Sequence, residues 1–412
     1  MISRRINKRK IINDPLYGLI SIPTDLIYDL IAHPWFQRLS RIRQLGMTYL
    51  VYPGALHSRL SHALGAMHLM QQALSVLQSK GVTISPHEAE ATTAAILLHD
   101  IGHGPFSHTL EGLLVPLDHE QLTALLMEAL NRQFEGRLEL AVQIFNGTYP
   151  RPFLHQLVSG QLDIDRLDYL TRDSFFTGVA EGVIGYDRII KMLGVHNEQL
   201  VVEEKGIYSI EKFLVSRRLM YWQVYLHKTV LAADHMLAHI IRRAHMLAAR
   251  NDLTVPSEPL SILLKIAEPN QLPKAQLLHL FTQLDDHDIM MAIKQWQHHP
   301  DPLLALLCRD LLERRLFRIE LQRKPFDRVY IERLRQAACM QLSWSSTEAA
   351  ELIKPTQTAG HAYNPLSDHI RIRFRDGRVF DVAEVSELLN MAVLREPDVK
   401  HYLCYPRALQ LD

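Results

Sequence analysis

Between residues 24 and 250, apolar side chains return every three or four positions: Leu26, Ile27, Leu30 and Ile31, then Leu64, Met67, Leu69, Met70, Leu74 and Leu77. That spacing lines them along one face of a helix, so this stretch is predicted to be mainly α-helical. Segment 91–101, A-T-T-A-A-I-L-L-H-D-I, is small and apolar on nearly every side, which predicts a helix enclosed by others. Short strands are predicted at 16–22 and in a hairpin near 200–210, where V-V-E-E-K-G-I-Y-S-I offers Gly206 as its turn. From about residue 251 the pattern changes: Pro256, Pro259, Pro269 and Pro273 punctuate the chain, and two amphipathic helices are predicted near 275–297 and 301–316. A second irregular stretch, 345–366, precedes I-R-I-R-F-R-D-G-R-V-F-D-V. There Ile370, Ile372 and Phe374 alternate with Arg371, Arg373 and Arg375, and Asp376-Gly377 predicts a two-residue hairpin turn.

These elements divide the chain into a helical core over 1–250, led by a basic arm, and a smaller helical lobe over 251–412 with a β-hairpin near 370–382. The fold class is mainly α, with short β-hairpins and an α+β C-terminal lobe. No internal repeat or low-complexity segment is present. A hydrophobic share of 47% with 22% charged residues is that of a globular chain with a sizeable core, which excludes disordered and collagen-like folds.

Lys+Arg 45 balance Asp+Glu 45, so there is no overall electrostatic footprint for nucleic acid or an anionic membrane. Any anionic ligand is then a small one met by local cations. The arm residues Arg4, Arg5, Lys8, Arg9 and Lys10 read as solubilising, with a nucleotide or nucleic-acid contact as the alternative. Cys308, Cys339 and Cys404 are far apart and form no CxxC pair, so neither disulfides nor a cysteine zinc site is expected and the chain reads as cytoplasmic. No apolar run is long enough to span a bilayer.

The chemistry is densest in H-D-I-G-H-G-P-F-S-H, His99 to His108, which follows the buried segment. A histidine and an aspartate entering an apolar interior need a compensating partner such as a metal ion. Gly102 and Gly104 are expected to end the helix and let His103 and His108 fold back toward the pair. Arg59 and His62, three apart, would emerge from one helical stripe. Asp165, Tyr169 and Asp173 follow at intervals of four, with Asp168 and Arg172 beside them. Together His62, His99, Asp100 and Asp165 make a two-imidazole, two-carboxylate set suited to Fe, Mn, Zn, Co or Ni rather than Ca. Arg217, Tyr221 and Tyr225 also repeat every four residues with Lys228 nearby, a mixture of cations and rings suited to a nucleotide.

In this order the motifs resemble the HD-domain metal-dependent phosphohydrolases, in the dNTP triphosphohydrolase branch that includes the vertebrate SAM-and-HD-domain enzyme and bacterial dGTPases. The likeness runs from N-D-P at Asn13 through F-Q-R-L, R-Q-L-G, Y-P-G-A, H-S-R-L-S-H, the His99–His108 segment, H-E-Q at His119, D-I-D-R-L-D-Y and R-D, to Lys228. It implies a metal on His62, His99, Asp100 and Asp165, with Mg as an additional ion on the substrate phosphates. Arg59, His103, His108, His119, Arg166, Tyr169, Arg217 and Lys228 would surround the triphosphate. Gln44 and Asp173 would hold the sugar 3′-hydroxyl, and Leu45 and Tyr225 would crowd C2′ against ribonucleotides.

His108 with Glu111, three apart on a helix, would be the acid pair. The implied reaction is one-step attack of activated water on the α-phosphorus, with His108 protonating the leaving 5′-oxygen, giving deoxynucleoside and tripolyphosphate. A homo-oligomer, dimer or tetramer, is implied as well. Ala32 and Ser40 stand where the vertebrate enzyme has acidic and basic contacts to an activating guanine nucleotide, so activation of that kind is not expected. Nor is an N-terminal SAM module. Two alternatives stay open: an HD phosphohydrolase acting on a monophosphate, cyclic dinucleotide or other phosphoester, and a nucleotide-sensing binding protein.

Overall fold

The computed structural model describes residues 10–266, 272–360, 369–386 and 398–411. The arm residues Arg4, Arg5, Lys8 and Arg9 and the breaker Pro269 lie outside them, whereas Lys10 lies inside and its Nζ donates to the Tyr28 hydroxyl at 3.1 Å.

The fold is mainly α-helical with small sheets. Its centre is helix Arg59–Ser79, which packs against Pro86–Leu98 on one side and Ile164–Thr177 on another. Burial on both sides explains why apolar residues sit all around it, from Ala63 through Met70. Gly65 permits the close crossing, because a Cβ there would collide with the side chains of Asp168 and Arg172. Pro86–Leu98 begins with a Ser85/Glu88 capping box and Pro86 in its first turn, and every residue from Ala91 to Leu98 is buried, as the sequence predicts.

Local turn chemistry places several boundaries elsewhere than expected. The first strand pair is Ile11–Asp14 with Gly18–Ser21, and Asp14 Oδ1 accepts the N–H groups of Leu16 and Tyr17 to form the turn between them. The second hairpin is Leu193–His196 with Gln199–Glu203; its turn is Asn197-Glu198, at φ 50° and 58°, rather than Gly206. Those two positive values fit the twist of a tight hairpin, and Gly206 instead precedes helix Ile207–Met220. The expected helix over 275–297 is two, Lys274–Phe281 and Asp286–Trp296, because Asp285 caps the second with Asp288. The following helix is Pro302–Leu312. Within 345–366, Ser346–Leu352 is helical and Thr356–Gly360 is a strand. Arg371–Arg373 pairs with Val379–Asp381, but Phe374 N–H donates to Arg378 O, so the loop is the three residues Arg375-Asp376-Gly377, with Gly377 at φ 89°. Ile370 and Ile372 are buried there, as the alternation predicts.

The C-terminal elements attach directly to the core. Arg371–Arg373 adds in parallel to Gln199–Glu203, completing a four-stranded sheet. Helix Lys228–Ala249 packs on Pro302–Leu312, and buried hydrophobic residues from both sides of position 250 form one continuous cluster.

Candidate active site

Ser58 caps helix Arg59–Ser79, which sets Arg59 and His62 in its first turn. Helix Pro86–Leu98 stops at Leu98, four residues before Gly102, so His99 and Asp100 stand on the turns beyond its end. Gly102 therefore does not terminate the helix; a side chain there would strike the backbone of His119 and Thr123, and its N–H donates to Thr123 Oγ1 at 3.0 Å. Asp163 caps the third contributing helix, Ile164–Thr177, whose first turn carries Asp165.

These three segments bring four donors together. His62 Nε2 lies 3.3 Å from His99 Nε2, 3.1 Å from Asp165 Oδ1 and 3.7 Å from Asp100 Oδ2. His99 Nε2 is 3.3 Å from Asp165 Oδ1 and 3.4 Å from Asp100 Oδ1. Two atoms each about 2.1 Å from one ion at angles of roughly 90–110° lie about 3–3.5 Å apart, so the spacing is that of a shared coordination centre. The tautomers agree. His62 Nδ1–H donates to Asp168 Oδ2 at 2.7 Å and His99 Nδ1–H donates to Ile96 O at 2.6 Å, which leaves the two Nε2 atoms facing each other across 3.3 Å. His62, His99 and Asp100 form a cluster that could hold a metal ion, and Asp165 Oδ1 stands within 3.3 Å of both imidazoles.

The electrostatics fit a cation. Burial alone would depress the His62 pKa, but hydrogen bonds to Asp165 and Asp168 raise it to about 10. His99 is raised too, by Asp100 and Asp165 against its burial. Both carboxylates are held ionised despite burial, Asp165 by the two imidazoles and Asp100 by His99, Arg59 and His103. A site that attracts protons this strongly attracts a metal ion for the same reason. Behind it runs a buried chain: Arg172 donates from Nε and Nη2 to Asp168 at 2.9 and 3.1 Å, and from Nη1 to Asp14 at 2.8 Å. Asp168 and Asp14 were not assigned roles from the sequence, although Asp168 stands three residues from Asp165, the spacing that puts it on the adjoining face.

Arg59 Nη1 donates to Asp100 Oδ2 at 2.7 Å, and His103 Nε2 stands 3.2 Å from Asp100 Oδ1. Burial followed by Arg59 keeps His103 far below the usual histidine range, hence neutral. His103 stacks on His119 at 4.1 Å, with His108 edge-on to both. His108 and Glu111 are not on a helix: the segment is a run of turns in which Phe106 and His108 take φ of 46° and 66°. Glu111 grips His119, accepting from its Nδ1 at 2.7 Å and its backbone N–H at 2.8 Å, and approaches His108 Nδ1 only to 3.5 Å. His108, followed by its bonds to His119, holds the Glu111 carboxyl well below its usual range.

A cavity of about 900 Å³ opens over the cluster. Its lining includes Gln44, Leu45, Arg59, His103, His108 and His119 together with Arg166, Tyr169, Asp173, Tyr221 and Tyr225. Tyr225 donates to Asp173 Oδ2 at 2.8 Å, and Arg166 pairs with Asp163. Tyr221–Tyr225 is a π-helical turn closing Ile207–Met220, in which the Tyr221 and Tyr225 rings meet edge-on at 5.6 Å. Arg217 and Lys228 do not line the cavity: Arg217 is buried and donates to Gln161 Oε1 at 3.2 Å, while exposed Lys228 begins a separate helix after a break at Leu226-His227. Ala32 and Ser40 are exposed at the surface.

This fold, with a histidine–aspartate cluster at the end of a buried helix, defines a class. The HD domain profile matches residues 59–173 and the HD associated region profile matches residues 184–254. The chain belongs to the HD-domain phosphohydrolases and is related to the core of SAMHD1. Over 320 residues it is 33% identical to the uncharacterised protein YwfO of Bacillus subtilis, covering 76% of this chain and 72% of that one. It is 30% identical over 289 residues to the deoxynucleoside triphosphate triphosphohydrolase SAMHD1 of Homo sapiens, a match covering 59% of this chain and 46% of the human protein. A solved phosphohydrolase from Bacteroides thetaiotaomicron superposes with a TM-score of 0.92 at 48% identity, over 97% of this chain and 100% of that one. HD domains are metal-dependent, and the chain is a hydrolase of this family. No helix among the described residues is long and apolar enough to cross a membrane.

Proposed function

We propose that the chain hydrolyses deoxynucleoside triphosphates at the α-phosphorus, releasing deoxynucleoside and tripolyphosphate. What supports this most is one juxtaposition: His99, Asp100 and Asp165, with buried His62 standing 3.1–3.7 Å from them, line one cavity with Arg59 and Arg166 and with the Gln44, Leu45, Asp173 and Tyr225 group. A divalent transition metal on those donors, Fe, Mn, Zn, Co or Ni, would polarise the phosphoryl oxygen and lower the pKa of water.

The remaining steps belong to side chains. Arg59, already oriented by Asp100, meets charge growing on the α-phosphate, and His103 stands beside it against the same Asp100 carboxylate. As the new oxygen–phosphorus bond forms, the bond to O5′ breaks and His108 supplies the proton to O5′. His119, gripped by Glu111, lies against the phosphate chain with Arg166, Tyr169 and Tyr221. Asp173 accepts from the 3′-hydroxyl and Gln44 donates to it, and Leu45 and Tyr225 leave little room at C2′. The division near residue 250 is proposed as one of roles, since the cavity lining lies entirely before it. A homo-oligomer and a cytoplasmic location complete the reading.

A second reading draws on Arg217 and Lys228 standing off the cavity wall: a phosphoester with fewer phosphates would need fewer cations. Both are tested by one product assay with purified protein loaded separately with Mn, Fe, Co, Zn or Mg, offered each dNTP alone and in mixture. Tripolyphosphate is expected. Release of pyrophosphate or phosphate instead, or silence with dNTPs and turnover of monophosphates or cyclic dinucleotides, would replace the first reading with the second.

A further inference from the structure

His57 has no part in the reaction described above. It lies just before the cap of helix Arg59–Ser79, buried to 6% exposure, with its ring flat on Phe176 at 4.6 Å and 15°. Its Nε2–H donates to Asp173 Oδ1 at 2.7 Å, and its backbone carbonyl accepts the N–H of Gln44 at 3.0 Å. Nδ1 has no polar partner among the described residues, so no other bond pulls the ring away. Tyr225 takes the other Asp173 oxygen at 2.8 Å. One buried residue thus grips, by side chain and by backbone, the two groups that would share the sugar 3′-hydroxyl.

We infer that His57 is a positioning residue that sets recognition of the nucleotide 3′-hydroxyl by joining Gln44 to Asp173. The inference rests on the nucleotide reading above. A carboxylate held from both oxygens cannot rotate about its terminal bond, and the lone pairs left over point in set directions. A hydroxyl placed there is accepted with good geometry, whereas a ligand lacking it leaves buried polar groups unpaired, the circumstance in which hydrogen-bonding sites discriminate most. Without the His57 donor, Asp173 keeps only Tyr225 and swings. The Phe176 stack matters because it stops the imidazole from turning out of the carboxylate plane.

The test compares dNTPs with their 2′,3′-dideoxy counterparts in wild type, His57→Phe and His57→Gln. Phenylalanine keeps the ring and its stack but removes the donor; glutamine restores an N–H donor without a ring. Two readouts are taken: kcat and KM with tripolyphosphate detection, and equilibrium binding to chelator-treated protein, which needs no turnover. Wild type should favour the 3′-hydroxyl ligand by tenfold or more, roughly the size of one well-made polar contact. His57→Phe should lose most of that ratio, chiefly through KM, with metal content unchanged, and His57→Gln should recover part of it. Equal loss toward both ligands in His57→Phe, or a wild type that binds both equally, would overturn the inference. Absence of tripolyphosphate while the binding ratio behaves as expected would instead overturn the reaction and leave the role of His57 standing.

Discussion

His62 uses both ring nitrogens: Nδ1–H is committed to Asp168, and Nε2 faces His99, Asp100 and Asp165. Because Asp168 is in turn held by Arg172 and Arg172 by Asp14, the orientation of the His62 Nε2 depends on residues as far away in sequence as the first hairpin. Replacing Asp165 with Ala should abolish stoichiometric metal in elemental analysis of the purified protein; an unchanged metal content would refute the donor set. Asp168→Asn should leave the donors in place but weaken metal binding by about 10–100-fold, the usual cost of losing an outer partner, measured by competition with a chelator. His108→Ala should differ from both by retaining metal while turnover falls by roughly 10²–10⁴-fold.

At the scale of elements, the buried helix Pro86–Leu98 matters because its end point determines where His99 and Asp100 emerge. Its start is anchored by Glu88, which accepts from Ser85 N–H at 2.8 Å, Arg151 at 2.9 Å and Tyr149 at 3.0 Å. Burial opposes ionisation, but Arg151, Ser85 and Tyr149 together lower the Glu88 pKa to about 2. A depressed carboxylate stabilises the fold above its unfolded value of about 4.3, and that contribution disappears as pH falls through the folded value. Glu88→Gln should therefore cost about 1–3 kcal/mol in denaturant melts at pH 7, with the gap to wild type narrowing between pH 4 and pH 2. A gap independent of pH would mean that the charge of Glu88 is immaterial.

Across the whole molecule, the lobe after 250 reaches the site without lining it. Asp286 accepts the N–H groups of Phe106 and Arg43, both at 3.0 Å, so one buried carboxylate ties the loop carrying His108 to the segment carrying Gln44. Arg38, fully buried, donates to the carbonyls of Ile101 at 2.8 Å, His103 at 3.0 Å and Leu284 at 3.1 Å. With such links and a shared core, calorimetry should show a single cooperative transition rather than two. Asp286→Ala strands one buried and one half-buried donor and should lower stability by about 1–3 kcal/mol while reducing turnover without loss of metal. Two separate transitions in the wild type would show instead that the lobe folds on its own.

The sequence by itself determined the helical core, the enclosed helix at 91–98 and the polar segments that border the cavity, though Arg217 and Lys228, expected there, do not line it. Periodicity and burial of apolar side chains are local properties that survive without coordinates, and a polar pair at the end of an apolar run is conspicuous for its desolvation cost. Turn positions were less legible, because Asn197 and Glu198 adopt left-handed backbone where cross-strand pairing demands it while Gly206 lies beyond the hairpin, and the turn before Val379 takes Arg375 as well as Asp376-Gly377. Only tertiary structure decided that Glu111 grips His119 more closely than His108, that Lys228 starts a separate helix off the cavity wall, and that His57 links Gln44 with Asp173. Those are relations between segments up to 116 residues apart, set by how helices cross and where backbones approach, and no local pattern encodes them.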